Sequence, residues 1–253
     1  MMTAPKKEQL GAGLMGLRYS PHEIENKTRE IYHQILQSSK NINEGNFTRI
    51  GTDDLRTIFE LYDRSFFDNF FTTNYQGKIS LYLSKRMTGA GGKTIYRKDT
   101  KTFEIGLSTT LIFQSFHDGD REVKVNGIIC HDRLAAVQRV FEHEMIHLLE
   151  FALFEKSSCS RPQFKMLSHN IFNHSDVTHQ LITQRERVHK KYNLRVGDRV
   201  EFRLNGQTYN GVLARITKRA TVMVNNPGGP IMDSRGNRYI KWYVPIHFLE
   251  VVA

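Results

Sequence analysis

Residues 143–147 read His-Glu-Met-Ile-His, and these residue types at this spacing could bind a metal ion. On a helix, residues four apart lie on one face about one turn from each other, so His143 and His147 could direct two imidazoles at one zinc ion. Glu144 would lie at the edge of that face. There its carboxylate could take a proton from an activated water and return it to a leaving amine. The pattern therefore predicts zinc ligation by the two histidines, with Glu144 as the general base of a hydrolysis.

A pattern this short also arises by chance, in which case the two histidines would be ordinary residues of a buried helix. The surrounding segment from Leu134 to Phe154 is apolar on nearly every side, which is typical of a helix inside a domain. Unpaired imidazoles and a carboxylate are costly to bury there. A bound metal offsets that cost, so the context favours a zinc site.

The amino-acid composition limits the classes of protein to which the chain can belong. The chain has 253 residues, 39% hydrophobic and 25% charged, which indicates a soluble globular protein of one large or two small domains. No apolar run reaches the roughly 20 residues that a membrane-spanning helix needs, and the first 20 residues lack the apolar core of a signal peptide. Two cysteines, Cys130 and Cys159, are too few for a secreted disulfide scaffold. We therefore expect a cytoplasmic protein without a membrane partner, with association with a nucleoid or nucleus left open.

Elements with helical and alternating periodicity predict an α+β fold in two domains. After a flexible tail over residues 1–20, helices are expected over residues 21–40 and 52–70, with Thr52 as the N-cap of the second. Residues 78–84 and 101–107 alternate with period two, and between them residues 94–97 follow a glycine-rich turn over residues 88–93. Together they predict a three-stranded antiparallel meander. The helix carrying His143 should begin after Asp132, and a further helix should run from Pro162 to Phe172. This first domain is expected to end at residue 183, before a charged, helical linker over residues 184–195.

From residue 196 to 253 the sequence has several short strands joined by Asn- and Gly-containing turns. Such a pattern favours a small β-barrel of the SH3 or Tudor type. The C-terminal part is also basic, since residues 185–253 hold 13 Lys and Arg against 5 Asp and Glu, whereas the other 184 residues hold 23 against 21.

The basic C-terminal part predicts an anionic partner, with DNA the leading candidate, although a merely soluble basic surface is the alternative. Tyr239, Trp242 and Tyr243 lie among its cations and could stack on bases, although we expect at least one of Trp242 and Tyr243 to belong to the barrel core. The candidate nucleic-acid-binding cations are Arg215, Lys218, Arg219, Arg235, Arg238 and Lys241.

Over about residues 50–180, the order of elements resembles that of the SprT-like metallopeptidases. These elements are an aromatic helix ending in Phe66-Phe67, a small meander and then the helix that carries His143 to His147. That family includes the Spartan-type proteases, which degrade proteins crosslinked to DNA. The resemblance implies a zincin-like catalytic domain with Zn²⁺ as cofactor and protein substrates. It also implies that His143 and His147 are zinc ligands and that Glu144 is the general base.

The third ligand departs from the family pattern. The family usually supplies it from a His-Gly-x-x-Phe segment that opens the next helix, but here the matching residues 160–164 read Ser-Arg-Pro-Gln-Phe. A serine hydroxyl is a poor zinc ligand, whereas the thiolate of the adjacent Cys159 is a good one. His174, further along the chain than His169, is a second candidate. Glu150, two helical turns from His143, is a third, or else a residue that orients His147.

Two functions from different classes remain. One is a zinc-dependent metalloendopeptidase that acts on DNA-associated or DNA-crosslinked proteins and so serves DNA–protein crosslink repair. The other is a non-catalytic, nucleic-acid-associated binding protein with a degenerate or structural zinc site. The departure at Ser160 favours the second function, and Glu144 favours the first, because a purely structural site needs no base.

Overall fold

A computed structural model describes residues 13–252 of the chain, which separates into two compact units, Met1–Leu181 and Ile182–Ala253. The division lies close to the predicted domain boundary at residue 183. Within the described range, every helix is too short or too polar to cross a bilayer.

The first unit opens with a segment that was expected to be a loose tail. Residues 1–12 of that segment lie outside the described residues. Correcting the expectation for residues 13–20, Leu14 is buried, and the Tyr19 hydroxyl donates to the Phe66 carbonyl at 2.8 Å. Helix α1 (Pro21–Ser38) follows, and Ser20 caps it with the reciprocal bonds to Glu23 of a capping box. The predicted first helix is therefore confirmed.

Helix α2 (Thr52–Phe67) packs a row of aromatic and aliphatic side chains into the core. Its N-cap is Gly51 rather than the predicted Thr52, and the Gly51 N–H donates to the Asp54 carboxylate at 2.6 Å. The helix ends three residues early, because Asp68 and Asn69 adopt left-handed backbone conformations before the short helix α3 (Phe70–Asn74).

The three predicted strands are present as β1 (Ile79–Ser84), β2 (Gly92–Arg97) and β3 (Thr102–Ser108), but the predicted antiparallel meander is wrong. The strand order is β1-β3-β2, with β1 parallel to β3 and β2 antiparallel to it. The physical reason is burial: β3 is the most buried of the three strands and takes the central position. Strands β1 and β2 are thereby left as the two edges.

The remaining elements of the first unit frame its longest helix, α5 (Arg133–Phe154). The predicted N-cap is confirmed, since the Asp132 carboxylate accepts a hydrogen bond from the Ala135 N–H at 2.7 Å. Helix α5 is buried along most of its length, as its apolar sequence predicted, and packs against β2 and β3. The other elements are α4 (Thr109–Gln114), β4 (Val123–Val125), β5 (Ile128–Cys130) and α6 (Pro162–Phe172).

The second unit begins with helix α7 (Gln184–Tyr192), in the segment that was expected to be a linker. The expected helix is present, but the segment is not a free connector. Val188 and Leu194 are buried in the same core as Val200 and Leu213, so apolar packing makes the segment part of the unit.

Six strands follow α7, and they are β6 (Arg199–Leu204), β7 (Gln207–Ile216), β8 (Ala220–Asn225), β9 (Ile231–Met232), β10 (Arg238–Val244) and β11 (Glu250–Val251). They form one sheet in the order β11-β6-β7-β8-β10-β9. A 3₁₀ turn, Ile246–Phe248, precedes the last strand.

Candidate metal centre

Helix α5 presents His143 and His147 side by side, as the spacing of four predicted. Their Nε2 atoms are 3.1 Å apart and their rings approach edge to face, with centroids 4.9 Å apart. The buried ring of Phe164, on α6, packs against both imidazoles at 4.8 and 4.5 Å between centroids. Two ring nitrogens are therefore held close to one point, against an apolar wall.

Cys159 completes a cluster with the two histidines. One ligand atom from each of His143, His147 and Cys159 lies within 4.8 Å of the other two. The thiol comes from the loop between α5 and α6, and the cysteine is free of any disulfide. Two imidazoles and one thiolate are a donor set that zinc accepts, and three protein ligands leave the fourth position open, as in catalytic zinc sites. The residues present therefore fit a zinc ion.

The other two candidates for the third ligand lie elsewhere. His174 is fully buried, and its Nε2 is hydrogen-bonded to the Glu142 carboxylate at 2.8 Å. Glu150 accepts a hydrogen bond from Ser157 at 2.5 Å, and the Ser157 hydroxyl also contacts His147 Nδ1 at 2.6 Å. Glu150 thus belongs to a chain that orients His147, the role considered for it as an alternative.

Ser160, which stands where the family pattern has histidine, is exposed, and its hydroxyl pairs with that of Ser158 at 2.9 Å. His169 is exposed on α6. Phe164, the last residue of the pattern, is kept and forms the wall behind the histidines.

The two histidines are neutral at physiological pH. Burial lowers the pKa of His143 to about 3, and the neighbouring His147, His174 and His179 add to that effect. Burial alone lowers the pKa of His147 to about 4. Because a metal binds the neutral imidazole, both side chains are in the form that ligation needs.

Glu144 is almost fully buried beside the cluster. Burial raises the pKa of its carboxyl to about 7, and hydrogen bonds from Thr94 partly offset that rise. The Thr94 hydroxyl lies 2.7 Å from Oε2 of Glu144 and 3.1 Å from its carbonyl oxygen. Strand β2 leaves room for the carboxylate at Gly92, where a Cβ atom would lie only 2.6 Å from Oε1.

A buried ionic network lies next to the metal cluster. The Glu142 carboxylate accepts bonds at 2.8 Å from Tyr62 and from Arg139, in addition to its bond with His174. Burial opposes its ionisation, but Arg139, His174 and Tyr62 together hold the pKa of Glu142 below its ordinary value. The network ties α2 and the segment after α6 to α5 directly beside His143.

Thr94, Ser157, Gly92 and Glu142 were all missed as site residues from the sequence. Their contacts join segments that are distant along the chain or adjacent only through a loop, and no periodic pattern marks them. Gly92 lies in a run of glycines, which was the only signal available.

In the second unit, the six cations predicted to bind nucleic acid are all exposed. Trp242 packs against Phe202 and Tyr209, with centroids 5.9 and 5.0 Å apart, whereas Tyr243 is 63% exposed. At least one of these two aromatic residues was expected to belong to the core, and Trp242 is partly buried and packs against the core of this unit.

The comparison with protein families agrees with the metal cluster. Residues 55–187 match the SprT-like family, a range that contains α2 from Leu55 onward, the three-stranded sheet, α5 and α6. No curated protein matches the chain. Because the match covers more than half of the chain and includes the helix with His143, Glu144 and His147, the chain belongs to the SprT-like family.

Proposed function

We propose that the chain is a zinc-dependent endopeptidase that acts on proteins bound or crosslinked to DNA. One observation carries the catalytic part of this proposal: the Glu144 carboxylate is buried next to the His143, His147 and Cys159 cluster and is held by Thr94. A structural zinc site has no need of a buried carboxylate beside its ligands.

His143, His147 and Cys159 would hold the zinc ion. When bound, zinc supplies polarisation of a scissile carbonyl and acidification of a water molecule. Glu144, with a pKa raised to about 7 by burial, can accept a proton from that water and donate it to the leaving amine near neutral pH. Thr94 fixes the position of the carboxylate, and the Ser157–Glu150 chain fixes the ring of His147.

Strand β2 is suited to hold a substrate. It is an edge strand whose partner in the sheet is β3, and its inward residues Gly92 and Thr94 lie beside Glu144. An extended substrate could add to this edge through main-chain hydrogen bonds, which tolerate many side chains. That recognition suits an enzyme that removes diverse proteins.

The second unit would bring the enzyme to DNA. We propose a small barrel of the SH3 or Tudor type, because β6, β7, β8 and β10 follow one another as antiparallel neighbours and β11 returns to pair with β6 after the 3₁₀ turn. Its six exposed cations carry the charge that phosphates attract.

Substituting Glu144 by Gln tests the catalytic proposal. The variant keeps the shape of the side chain but removes the base, so cleavage of a denatured protein substrate should fall about 100-fold or more, while zinc per chain stays at the wild-type value. Both quantities are measured on the purified full-length chain, the metal by elemental analysis.

A His147→Ala variant is the control for the metal, and it should lose both zinc and cleavage. Full cleavage by the Glu144→Gln chain would contradict the mechanism. A wild-type chain that takes up no zinc after the metal is added back would support the non-catalytic alternative.

A further inference from the structure

The three-stranded sheet has two different faces. Its inner face packs on α5, where Thr94 bonds Glu144 and the ring of Tyr96 contacts that of Phe151. Because side chains alternate along a strand, the neighbouring residues Lys93 and Ile95 point to the opposite side, here called the outer face. Further residues of the outer face are Ser80, Tyr82, Arg97, Thr102 and Glu104. Each of them is exposed or partly exposed, so the described residues leave this face open.

An aromatic ring and a cation lie in one row across the outer face. Tyr82 of β1 and Lys93 of β2 are both register partners of Gly106 on β3. The ring of Tyr82 covers Gly106, since a Cβ atom at residue 106 would lie 2.2 Å from Cζ of Tyr82. Glycine at this position is therefore what allows the ring to cross β3 toward Lys93. Lys93 is exposed and has no ion-pair partner among the described residues.

The sheet is also the basic part of the first unit. Residues 78–104 hold seven Lys and Arg against two Asp and Glu, whereas the rest of residues 1–184 hold 16 against 19. Arg97 is neutralised by its ion pair with Glu104. The other six cations of residues 78–104 have no ion pair within residues 13–252. These cations are Lys78, Lys85, Arg86, Lys93, Lys98 and Lys101. Lys85 and Arg86 follow the end of β1, and Lys98 and Lys101 lie in the turn between β2 and β3.

We propose that the outer face of this sheet binds single-stranded nucleic acid. A base stacks on the ring of Tyr82, Lys93 pairs with a phosphate beside it, and the cations at the two ends of the sheet follow the backbone. Stacking surfaces within a positively charged track are what unpaired nucleic acid requires, and a duplex would hide its bases from the ring. An acidic protein segment would use the cations but gain nothing from the ring.

This proposal deepens the proposed function, and its biological role rests on that function. Lys93 and Thr94 are adjacent on β2 and point to opposite faces. A nucleic acid bound to the outer face is therefore separated from the general base, Glu144, by the thickness of β2 alone. A protein attached to that nucleic acid would be held near the cleft. Binding itself requires no catalysis and can be tested alone.

The test measures fluorescence anisotropy of a labelled oligothymidylate of about 15 nucleotides, titrated with the full-length Glu144→Gln chain at several salt concentrations. Adding Tyr82→Leu should weaken binding about 5-fold or more, whereas Tyr82→Phe, which keeps the ring, should bind as well as the parent. Lys93→Gln should reduce the slope of log affinity against log salt by about 0.7. Lys40→Gln removes an exposed cation outside the sheet and should change neither quantity.

Circular dichroism of each variant shows whether it is folded, and Lys93→Gln, a surface change, keeps the test decisive if Tyr82→Leu does not fold. Parent-like affinity and salt slope in both Tyr82→Leu and Lys93→Gln would overturn the proposal. A loss that is equal for the oligothymidylate and for a duplex of the same length would also overturn it. A wild-type chain that binds at this face but cleaves no protein would overturn only the proposed function.

Discussion

At the scale of single residues, the metal cluster depends on a hydrogen-bond chain that supports one of its ligands. Ser157 contacts His147 Nδ1 at 2.6 Å and donates to the Glu150 carboxylate, which is 3% exposed. Such a contact fixes the orientation of a ligating imidazole and leaves its other nitrogen, Nε2, facing the metal. His143 has no equivalent support, since its Nδ1 is buried without a partner among the described residues.

A Ser157→Ala substitution should therefore weaken zinc binding through His147. We expect a loss of about 10- to 100-fold in zinc affinity, the range seen when such supporting contacts are removed. Competition with a chelator of known affinity measures the change. Ser158→Ala is the matched control, because among the described residues its hydroxyl pairs only with that of Ser160. Equal affinities in the two variants would show that the chain does not support the ligand.

The sequence predicted the parts of the site that depend on helical periodicity. His143, Glu144 and His147 follow from a spacing of four on one helix, and the structure places them together. Cys159 could only be kept as one of three alternatives, because the path of the loop that carries it has no periodic signal. Thr94 was missed because its contact with Glu144 spans 50 residues of sequence.

At the scale of elements, β2 is fitted closely to α5. A Cβ atom at Gly92 would lie 2.6, 2.7 and 2.9 Å from Oε1, Cγ and Cδ of Glu144. The glycine is needed for this approach rather than for an unusual backbone conformation, since it is not among the residues with positive φ. The strand can therefore accept alanine, and the flexible carboxylate is the group that must move.

Gly92→Ala should thus reduce catalysis more than it reduces stability or metal content. A displacement of about 1 Å at the base is expected to lower kcat about 100-fold, while zinc per chain stays unchanged. The measurement is kcat on a denatured protein substrate, with metal analysis beside it. Gly89→Ala, where nothing lies within 4 Å of the added atom, is the control. A Gly92→Ala enzyme with wild-type kcat would mean that Glu144 needs no fixed position.

The elements themselves were largely predictable, but their arrangement was not. Period-two alternation predicted β1 and β3, and the segment after the glycine-rich turn predicted β2. The three consecutive strands were expected to form a meander, but β3 lies between β1 and β2. Burial decides that order, and alternation alone does not reveal which strand is buried on both sides. The charged segment containing α7 was taken as a linker because few of its residues, Val188, Tyr192 and Leu194, pack on the core of the second unit.

A second element-scale feature is the turn between β9 and β10, which Asp233 holds together. Its carboxylate accepts bonds at 2.9 Å from the Asn237 side chain and from the backbone N–H groups of Asn237 and Arg235. The Asn237 side chain has the largest effect on the pKa of Asp233 and lowers it, and burial opposes that effect. The N–H groups and the Tyr239 hydroxyl lower the pKa further, to about 2.

Because this pKa is lowered in the folded state, the stabilisation is fully present above the ordinary aspartate pKa of about 4 and is lost as pH falls toward 2. Asp233→Asn should lower the stability of the second unit at pH 7 and remove the part of its acid sensitivity between about pH 4 and 2. Trp242, the single tryptophan of the chain, lies in this unit, so its fluorescence during urea unfolding reports the change. The exposed carboxylate of Glu250 provides the control, as Glu250→Gln. Identical pH profiles of unfolding for Asp233→Asn and wild type would show that Asp233 does not stabilise the second unit through its lowered pKa.

At the scale of the whole molecule, positive charge is concentrated in two places. Residues 185–253 carry 13 Lys and Arg against 5 Asp and Glu. Residues 78–104 carry 7 against 2, whereas the rest of residues 1–184 carry 16 against 19. The cations named in both groups are exposed, and each group belongs to a different unit. A protein with two basic surfaces can bind one nucleic acid through both, so that the loss of either weakens binding without abolishing it.

Changing Lys218 and Arg219 together to Gln tests the contribution of the second unit. Both side chains are exposed in the segment between β7 and β8, so their loss should not unfold the unit. Two fewer phosphate contacts should weaken duplex DNA binding and reduce the slope of log affinity against log salt by about 1.8. Zinc content and cleavage of a short peptide without DNA should remain at wild-type values, because neither depends on these cations.

The Lys40→Gln/Arg49→Gln double variant removes the same charge from exposed positions of the first unit and separates a local contact from a general effect of net charge. If the slope changes equally in the two double variants, the second unit attracts DNA only through overall charge. If it changes in neither, DNA does not contact Lys218 and Arg219, and the second unit has another partner. A change confined to the Lys218→Gln/Arg219→Gln chain would assign to that unit the recruitment of the peptidase to its substrates.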